Sequence, residues 1–193
     1  MMAGILGSLP PIRGEEINYP SGFRISTDRS PNLRGMTDIC GEIAEDFPFE
    51  LNYRNICGLY ILDDGVDRDL DDNWKDILAR MDFVVVQSYA MTDLAKSAHI
   101  VLPGLAPFER EGTITNDQGR VQWLRPSLPV QGEAKPDWEI LALVMKEMHP
   151  EQQPMQDISQ VMKEMGAKFP DYKGLSFFRL GSTGISLNGR HEA

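Results

Sequence analysis

The chain has 193 residues, of which 41% are apolar and 25% are charged, and these proportions exclude a wholly disordered or fibrous protein. Nineteen lysines and arginines stand against 29 aspartates and glutamates, giving a formal net charge of −10, which opposes a broad contact with the phosphate backbone of nucleic acid. The longest apolar stretches, residues 56–62 and 99–108, fall far short of the roughly 20 residues that cross a bilayer. We therefore predict a folded, cytoplasmic protein with no nucleic-acid partner and no membrane span.

The first 55 residues are rich in proline, glycine and charge, and no apolar period in them lasts beyond a few positions. Such a stretch buries little surface on its own. We predict an extended N-terminal arm over residues 1–55 that is mobile or lies across a partner.

Cys40 and Cys57 are the two cysteines of the sequence, and no Cys-x-x-Cys or His-x-x-x-His spacing occurs. A disulfide framework, a four-ligand zinc site or an iron–sulfur site therefore cannot be built from this sequence alone. Free cysteines usually behave as small buried apolar residues, and we expect both to be buried.

From residue 56 onward, short apolar runs alternate with amphipathic segments. The apolar runs predict strands at 58–62, 83–87 and 99–102, the first two of them buried. Between them, Trp74, Ile77, Leu78 and Met81 lie on one face of a short helix, and Thr92 caps a second helix over 93–98. This alternation of strands and helices predicts a small parallel sheet with helical crossovers, which forms an α/β domain over residues 56–150.

Two further helices are predicted after this sheet. Pro136 and Asp137 open the first, with proline at its start and an acid in its first turn. A weaker amphipathic helix starts near Ile158 and ends near Gly166, and residues 174–188 form an irregular or weakly β tail. Residues 151–193 are thus predicted to hold a C-terminal helix and tail.

Ligands of an open parallel sheet bind beyond the carboxyl ends of its strands. Those ends carry Asp63 and Asp64, residues 87–89, and Pro103 with Gly104. Thr92 follows the second strand, so the N–H groups at its helix start could seat a phosphate. An ordinary helix cap explains the same threonine, and the residues alone leave both explanations open.

Residues 109–122 form the most distinctive polar segment of the sequence, and this segment contains Gly112 and Gly119. Their hydroxyl, amide and guanidinium groups suit the binding of a polar ligand or of a neighbouring loop. The segment lacks the glycine spacing of a P-loop or of a dinucleotide-binding turn. The residues alone therefore predict a structured loop, and they identify no catalytic residue.

Five motifs follow one another in a specific order: Val84-Val85-Val86-Gln87, Thr92-Asp93, residues 98–103, residues 109–122 and residues 136–140. Their order and spacing resemble the molybdopterin oxidoreductase family, which includes formate dehydrogenases, nitrate reductases and the large iron–sulfur subunit of NADH-quinone oxidoreductase (complex I). The resemblance covers residues 56–187, and Asn32-Leu33-Arg34-Gly35 is a weaker upstream match. It implies one α/β domain of the family fold.

The resemblance also implies a cofactor of the family, bis-molybdopterin guanine dinucleotide. Family position makes five side chains the expected contacts: Thr92, Glu109, Thr113, Asn116 and Arg120. Hydrogen bonds within the fold are the other explanation of these side chains. The family's cluster-binding cysteines, its metal ligand and its C-terminal barrel are not recognisable in this sequence.

The first two strand ends depart from the family pattern. Asp63-Asp64-Gly65 stands where the family often has Gly-x-Asn-Pro, and Ser88 stands where an acid is common. Two carboxylates would lie near a pyrophosphate, which needs N–H donors or cations.

Three functions are consistent with these observations. The first is an accessory, structural subunit of a multisubunit redox complex, without a cofactor of its own, assembled with larger iron–sulfur or flavin subunits. The second is one part of a split molybdenum or tungsten oxidoreductase resembling formate dehydrogenase, which helps to bind the pterin dinucleotide. The third is a free-standing α/β protein that binds another nucleotide at the same crevice.

Overall fold

The computed structural model describes residues 14–22, 24–25, 32–41, 56–67 and 69–187. Among them, residues 56–111 and 125–158 form a first compact unit, and residues 14–41, 112–124 and 159–187 form a second. The segments predicted from the sequence, 1–55, 56–150 and 151–193, stay a prediction. In chain order the elements are β1 (Ile17–Asn18), β2 (Arg24–Ile25), α1 (Leu33–Cys40), β3 (Gly58–Leu62), α2 (Asp72–Arg80), β4 (Phe83–Ser88), α3 (Asp93–Lys96), β5 (Ile100–Pro103), β6 (Gly112–Thr115), β7 (Arg120–Leu124), α4 (Asp137–Met148), α5 (Ile158–Lys168), α6 (Phe177–Leu180) and β8 (Ile185–Ser186).

The first unit contains a three-stranded parallel sheet in the order β3-β4-β5. Helix α2 connects β3 to β4, and helix α3 connects β4 to β5, as parallel pairing of neighbouring strands requires. The register places Tyr60 opposite Val85, and Val85 opposite Ile100. The α/β fold class and the small parallel sheet with helical crossovers are therefore confirmed.

A cluster of Leu78, Val84, Val86 and Ala95 forms the core of this unit. Strand β4 is buried from Val84 to Ser88 because it pairs with a strand on each side. The predicted burial of β3 is wrong: Gly58, Tyr60 and Leu62 are exposed, and the other two residues of the strand are half-buried. This strand lies at the edge of the described sheet, so only its alternate side chains reach the core.

Side chains cap both helices of the first unit. The Asp71 carboxylate accepts a hydrogen bond from the Trp74 N–H at 2.8 Å, and the Thr92 hydroxyl accepts one from the Ala95 N–H at 3.1 Å. Helix α3 ends at Lys96, two residues earlier than predicted, because the Ser97 hydroxyl donates to the Leu94 carbonyl at 2.7 Å. Such a bond competes with continuation of the helix.

The second unit contains an antiparallel sheet in the order β6-β7-β8. Strands β6 and β7 form a hairpin, so the prediction of a structured loop over residues 109–122 is wrong for half of this stretch. The side chains of β6 and β7 alternate between the two faces, and Gly119, with φ 72°, supplies the left-handed turn residue. Within residues 174–187 the short helix α6 departs from the predicted irregular or weakly β tail, whereas the two-residue strand β8 agrees with it.

The core of the second unit is built where α5 and the following residues contact the hairpin. Its buried residues are Val121, Met162, Tyr172, Leu175, Leu180 and Leu187. The rings of Trp123 and Phe177 lie 5.2 Å apart at its margin. Both predicted C-terminal helices are present, as α4 and α5.

Helix α1 lies within the stretch predicted as an extended arm, and the sequence analysis missed it. Gly35, on its buried side, is close to the Thr115 hydroxyl, so tertiary contact rather than an apolar period favours this helix. The remaining predicted arm residues between 1 and 55 lie outside the described part, apart from 14–22, 24–25, Asn32 and Gly41.

Both cysteines are exposed, and the expectation that they are buried is wrong. Cys40 is the last residue of α1, and Cys57 lies just before β3 at the sheet edge. In the part of the chain that the structure describes, no helix has the length and apolar character needed to cross a membrane.

Candidate functional site

One cluster of polar side chains joins the carboxyl ends of two of the parallel strands, β3 and β4, to the start of α3. The Asp63 carboxylate oxygen Oδ2 accepts hydrogen bonds from the Ser88 hydroxyl at 3.0 Å and from the Thr92 hydroxyl at 2.7 Å. Ser88 and Thr92 are buried, and buried hydroxyls require such partners. Asp63 therefore holds the ends of β3 and β4 and the start of α3 together.

The start of α3 was one predicted phosphate seat. The Thr92 hydroxyl accepts a bond from the Ala95 N–H, and the Asp67 carboxylate accepts one from the Asp93 N–H at 2.9 Å. Two of the backbone donors that a phosphate would use are thus bonded to side chains of this chain. This geometry favours the helix-cap explanation, while a cofactor contact at Thr92 stays a prediction.

A second cluster surrounds Gln87, which is 1% exposed. Its amide oxygen accepts a hydrogen bond from the Tyr60 hydroxyl at 2.6 Å, and its amide nitrogen donates to Asp137 at 2.7 Å. Arg110 pairs with the other oxygen of Asp137 at 3.3 Å and donates to the Leu105 carbonyl at 2.8 Å. Burial, together with the negative charge of Asp137, raises the pKa of Tyr60. The start of α4 is thereby fixed to the central strand.

Glu109, another predicted contact, lies in the first unit and connects two loops. Its carboxylate accepts hydrogen bonds from the backbone N–H of Ala106 at 2.9 Å and of Gln131 at 3.2 Å. Both bonds are internal to the unit, so they account for the side chain structurally.

The other three predicted contacts, Thr113, Asn116 and Arg120, lie in the hairpin of the second unit. The Asn116 side chain accepts hydrogen bonds from the backbone N–H of Gln118 at 3.1 Å and of Arg120 at 2.8 Å, which closes the turn. The exposed Arg120 guanidinium donates to the Thr183 carbonyl at 3.3 Å, and Thr113 lies in β6 opposite Trp123. The structure thus brings Asn116 and Arg120 into contact.

A buried polar network of the second unit includes Tyr172. Its hydroxyl donates to Asp38 at 3.0 Å and lies 3.1 Å from the Thr115 hydroxyl, while Arg34 donates to Asp38 at 2.7 Å. Asn32 accepts a bond from the Thr115 N–H at 2.8 Å. Burial raises the pKa of Tyr172, and the hydrogen bond to Asp38 raises that of Arg34. The weak upstream motif is therefore bound to strand β6.

The raised pKa of Tyr172 predicts a pH dependence. The tyrosine contributes stability that is complete below its ordinary pKa of 10.0 and is lost as pH rises through the higher folded-state pKa. Tyr172→Phe should lower the free energy of unfolding by about 1–2 kcal/mol at neutral pH, and the difference from wild type should shrink as pH rises above about 10. Urea denaturation at several pH values measures it. A difference between wild type and Tyr172→Phe that stays constant through alkaline pH would contradict the prediction.

Comparison with known proteins identifies the family. Residues 46–147 match the sequence profile described as molybdopterin oxidoreductase, which is more than half of the chain. The chain belongs to the molybdopterin oxidoreductase family. The resemblance seen in the sequence is thus confirmed, and the two polar clusters of the first unit lie within the matched residues.

The relatives of this molybdopterin oxidoreductase chain include formate dehydrogenase subunits from methanogens. It is 34% identical over 163 residues to the F420-dependent formate dehydrogenase 2 subunit alpha of Methanococcus maripaludis, covering 82% of this chain and 24% of that protein. It is 29% identical over 189 residues to the F420-dependent formate dehydrogenase subunit alpha of Methanocaldococcus jannaschii, covering 93% and 27% respectively. The chain spans about a quarter of the length of these two relatives.

The residues at the strand ends do not fit the pyrophosphate of the family's dinucleotide. Their hydroxyl and backbone donors already bind carboxylates of this chain. Among the described side chains that hydrogen-bond in the two clusters and at the start of α3, four are carboxylates and two are cations: Asp63, Asp67, Asp93 and Asp137, and Lys96 and Arg110. An anion at this edge would meet repulsion and would have to displace existing hydrogen bonds. Among the described residues, no group of three or more His, Cys, Asp or Glu side chains could hold a metal ion.

Sequence reasoning missed Tyr60, Arg110 and Asp137 as members of the clusters. Gln87 was the available signal, because an amide in an otherwise apolar strand needs polar partners. Its partners Tyr60 and Asp137 lie 27 and 50 residues away from it in sequence. Their identity follows only from the fold.

Proposed function

We propose that this chain is an accessory, structural part of a formate dehydrogenase-like oxidoreductase assembly and carries no redox centre of its own. The observation that supports this most directly is the inward hydrogen bonding of Asp63. Its carboxylate engages both buried hydroxyls at the strand ends, so the edge that would meet a dinucleotide is stabilised as part of the fold.

The relatives support the assembly. Two of them are named as alpha subunits of F420-dependent formate dehydrogenases, and a subunit designation denotes a protein that works with others. In this proposal the partners of the chain are larger subunits that carry iron–sulfur clusters or flavin, and the assembly is cytoplasmic.

A second candidate function is supported by Arg120. Its exposed guanidinium lies at the start of β7, within the family motif, and arginine binds phosphate or a guanine edge through paired N–H groups. In this alternative the hairpin supplies one wall of a site for the pterin dinucleotide in a split enzyme. The two functions differ in whether pterin content depends on Arg120.

The test uses the assembly purified from its native source through a tag on this chain. We expect larger subunits to co-purify, and we expect the pterin content, measured as oxidised-pterin fluorescence beside molybdenum and tungsten analysis, to be unchanged by Arg120→Ala. Arg179→Ala is the matched control, because Arg179 also donates to a backbone carbonyl of the second unit, that of Gly174 at 2.6 Å.

Two outcomes would contradict the structural role. Stoichiometric pterin that is lost in Arg120→Ala and retained in Arg179→Ala would establish the split enzyme instead. Elution of the whole native population near 21.7 kDa would exclude an assembly.

A further inference from the structure

The parallel sheet of the first unit has helices over one of its two faces. Val84 and Val86 of the central strand point to that face, where they pack with Leu78 of α2 and Ala95 of α3. Side chains alternate along a strand, so the positions between them point to the opposite face. Both crossover helices therefore cover the same face of the sheet.

The opposite face carries a patch of four exposed apolar side chains. Tyr60 is 38% exposed, Leu62 58%, Phe83 47% and Ile100 44%, and we call these four the sheet patch. The register places Tyr60 and Ile100 on either side of Val85, so the patch extends across all three strands. Parallel sheets occur almost always with both faces covered, and an exposed apolar patch marks an interaction surface.

Helix α4 leaves the sheet patch open. Its start is bound at the carboxyl end of β4, where Asp137 accepts a hydrogen bond from the Gln87 amide at 2.7 Å. Gln87 is 1% exposed and points to the same face as Leu62, which is opposite it in the register. The described residues therefore cover Gln87 but leave the neighbouring Leu62 exposed.

We propose that one amphipathic helix of a larger subunit lies across the sheet patch, with its apolar side on the four side chains and with lysine or arginine along its margins. The inference rests on the proposed function, which supplies the larger subunits. Helices are the elements that cover parallel sheets. The outer strands β3 and β5 lie about 10 Å apart, twice the usual strand spacing, and a helix with its side chains is about 10–12 Å wide. One helix therefore spans the patch.

Charge favours a basic partner helix over a second copy of the chain. An exposed carboxylate flanks the patch at each end, since Asp82 directly precedes Phe83 and Asp64 follows Leu62 by two positions. Two copies stacked through this face would bring these carboxylates together, and each copy has a formal net charge of −10. Lysines or arginines at the margins of a helix would be attracted instead.

The length of the relatives agrees with cover from other polypeptide. The chain matches 24% and 27% of the lengths of the two methanogen proteins. Most of the polypeptide in those proteins therefore lies outside the region that is similar to this chain. In the proposed assembly, the larger subunits supply the corresponding helix.

Photo-cross-linking tests the helix in the assembly, purified from its native source through a tag on this chain. With p-benzoylphenylalanine in place of Leu62, ultraviolet light should attach the chain to one peptide of a larger subunit. Mass spectrometry should show apolar residues three and four positions apart in this peptide, with lysine or arginine beside them. The same cross-linker in place of Asp76 is the control. Asp76 is exposed on α2, which covers the first face, so it should not reach that peptide.

A substitution tests the patch by a second route. Leu62→Arg places a cation against the basic margins of the helix, so recovery of the larger subunits should fall at least about tenfold. The variant should keep the wild-type circular dichroism spectrum, because Leu62 is 58% exposed and edge strands tolerate charge. Phe108→Arg is the matched control and should leave recovery unchanged, since Phe108 is a 64% exposed apolar residue of the same unit outside the sheet.

The outcomes separate this inference from the proposed function. Suppose that the larger subunits co-purify, but that position 62 cross-links to a peptide of this chain, to a peptide without helical spacing or to nothing. The helix is then excluded, and the proposed function stands. Unchanged recovery with Leu62→Arg would also exclude the helix. If no larger subunit co-purifies with the wild-type chain, the proposed function fails and this inference fails with it.

Discussion

Replacing Gly184 with alanine is expected to lower the free energy of unfolding by about 3 kcal/mol or more. Gly184 has a φ of 74°, where a residue with a side chain is strained. An added Cβ would also overlap the backbone carbonyl oxygen of Val121, which belongs to the central strand of the antiparallel sheet and cannot move away cheaply. Urea denaturation of the purified chain measures the loss.

Gly181 provides the control, because it shares the left-handed conformation without the crowding. Its φ is 54°, and an added Cβ would meet no atom within 4 Å. Gly181→Ala should therefore cost only the backbone strain, about 1–2 kcal/mol. Equal losses in the two variants would mean that the contact with Val121 contributes nothing.

The second large effect is expected at Asp63. Asp63→Ala should lower the free energy of unfolding by about 3 kcal/mol, since it removes two hydrogen bonds to a charged group and leaves buried hydroxyls without their acceptor. The hydroxyls are those of Ser88 and Thr92, so the loss should appear in thermal or urea unfolding of the first unit.

Two companion variants make this prediction specific. Asp63→Asn keeps an acceptor oxygen and should lose about half as much. Asp64→Ala removes a neighbouring carboxylate that is exposed and accepts from the Val66 N–H at 3.0 Å, and it should cost less than about 1 kcal/mol. A loss at Asp64 as large as that at Asp63 would refute the role assigned to the cluster.

The parallel sheet was predictable because its signals are local. The apolar run of β4 needs no knowledge of its neighbours, and the apolar period from Trp74 to Met81 with the cap at Asp71 defines α2. The hairpin was not predictable in the same way. Its two strands are four and five residues long and mix polar with apolar residues, so their pairing depends on the turn and on packing with distant residues.

The candidate site was also predictable only in part. The sequence located the strand ends that carry Asp63, Ser88 and Thr92, because topology alone places ligand-facing residues there. It could not show that these side chains bind one another, since the Asp63–Thr92 contact joins residues 29 positions apart. Helix α1 was missed for the same reason, as its Asp38 is bound by Tyr172, 134 positions away.

That separation also sets the order in which the chain can fold on the ribosome. The first unit can form its parallel sheet as soon as residues 56–103 have emerged. The second unit gathers residues 14–41, 112–124 and 159–187, so α1 must wait for Tyr172 to be synthesised before Asp38 gains its partner. Closing so long a loop costs entropy that grows with the logarithm of its length, and contacts of this range slow folding. The parallel sheet of the first unit can therefore form before the second unit closes around its hairpin.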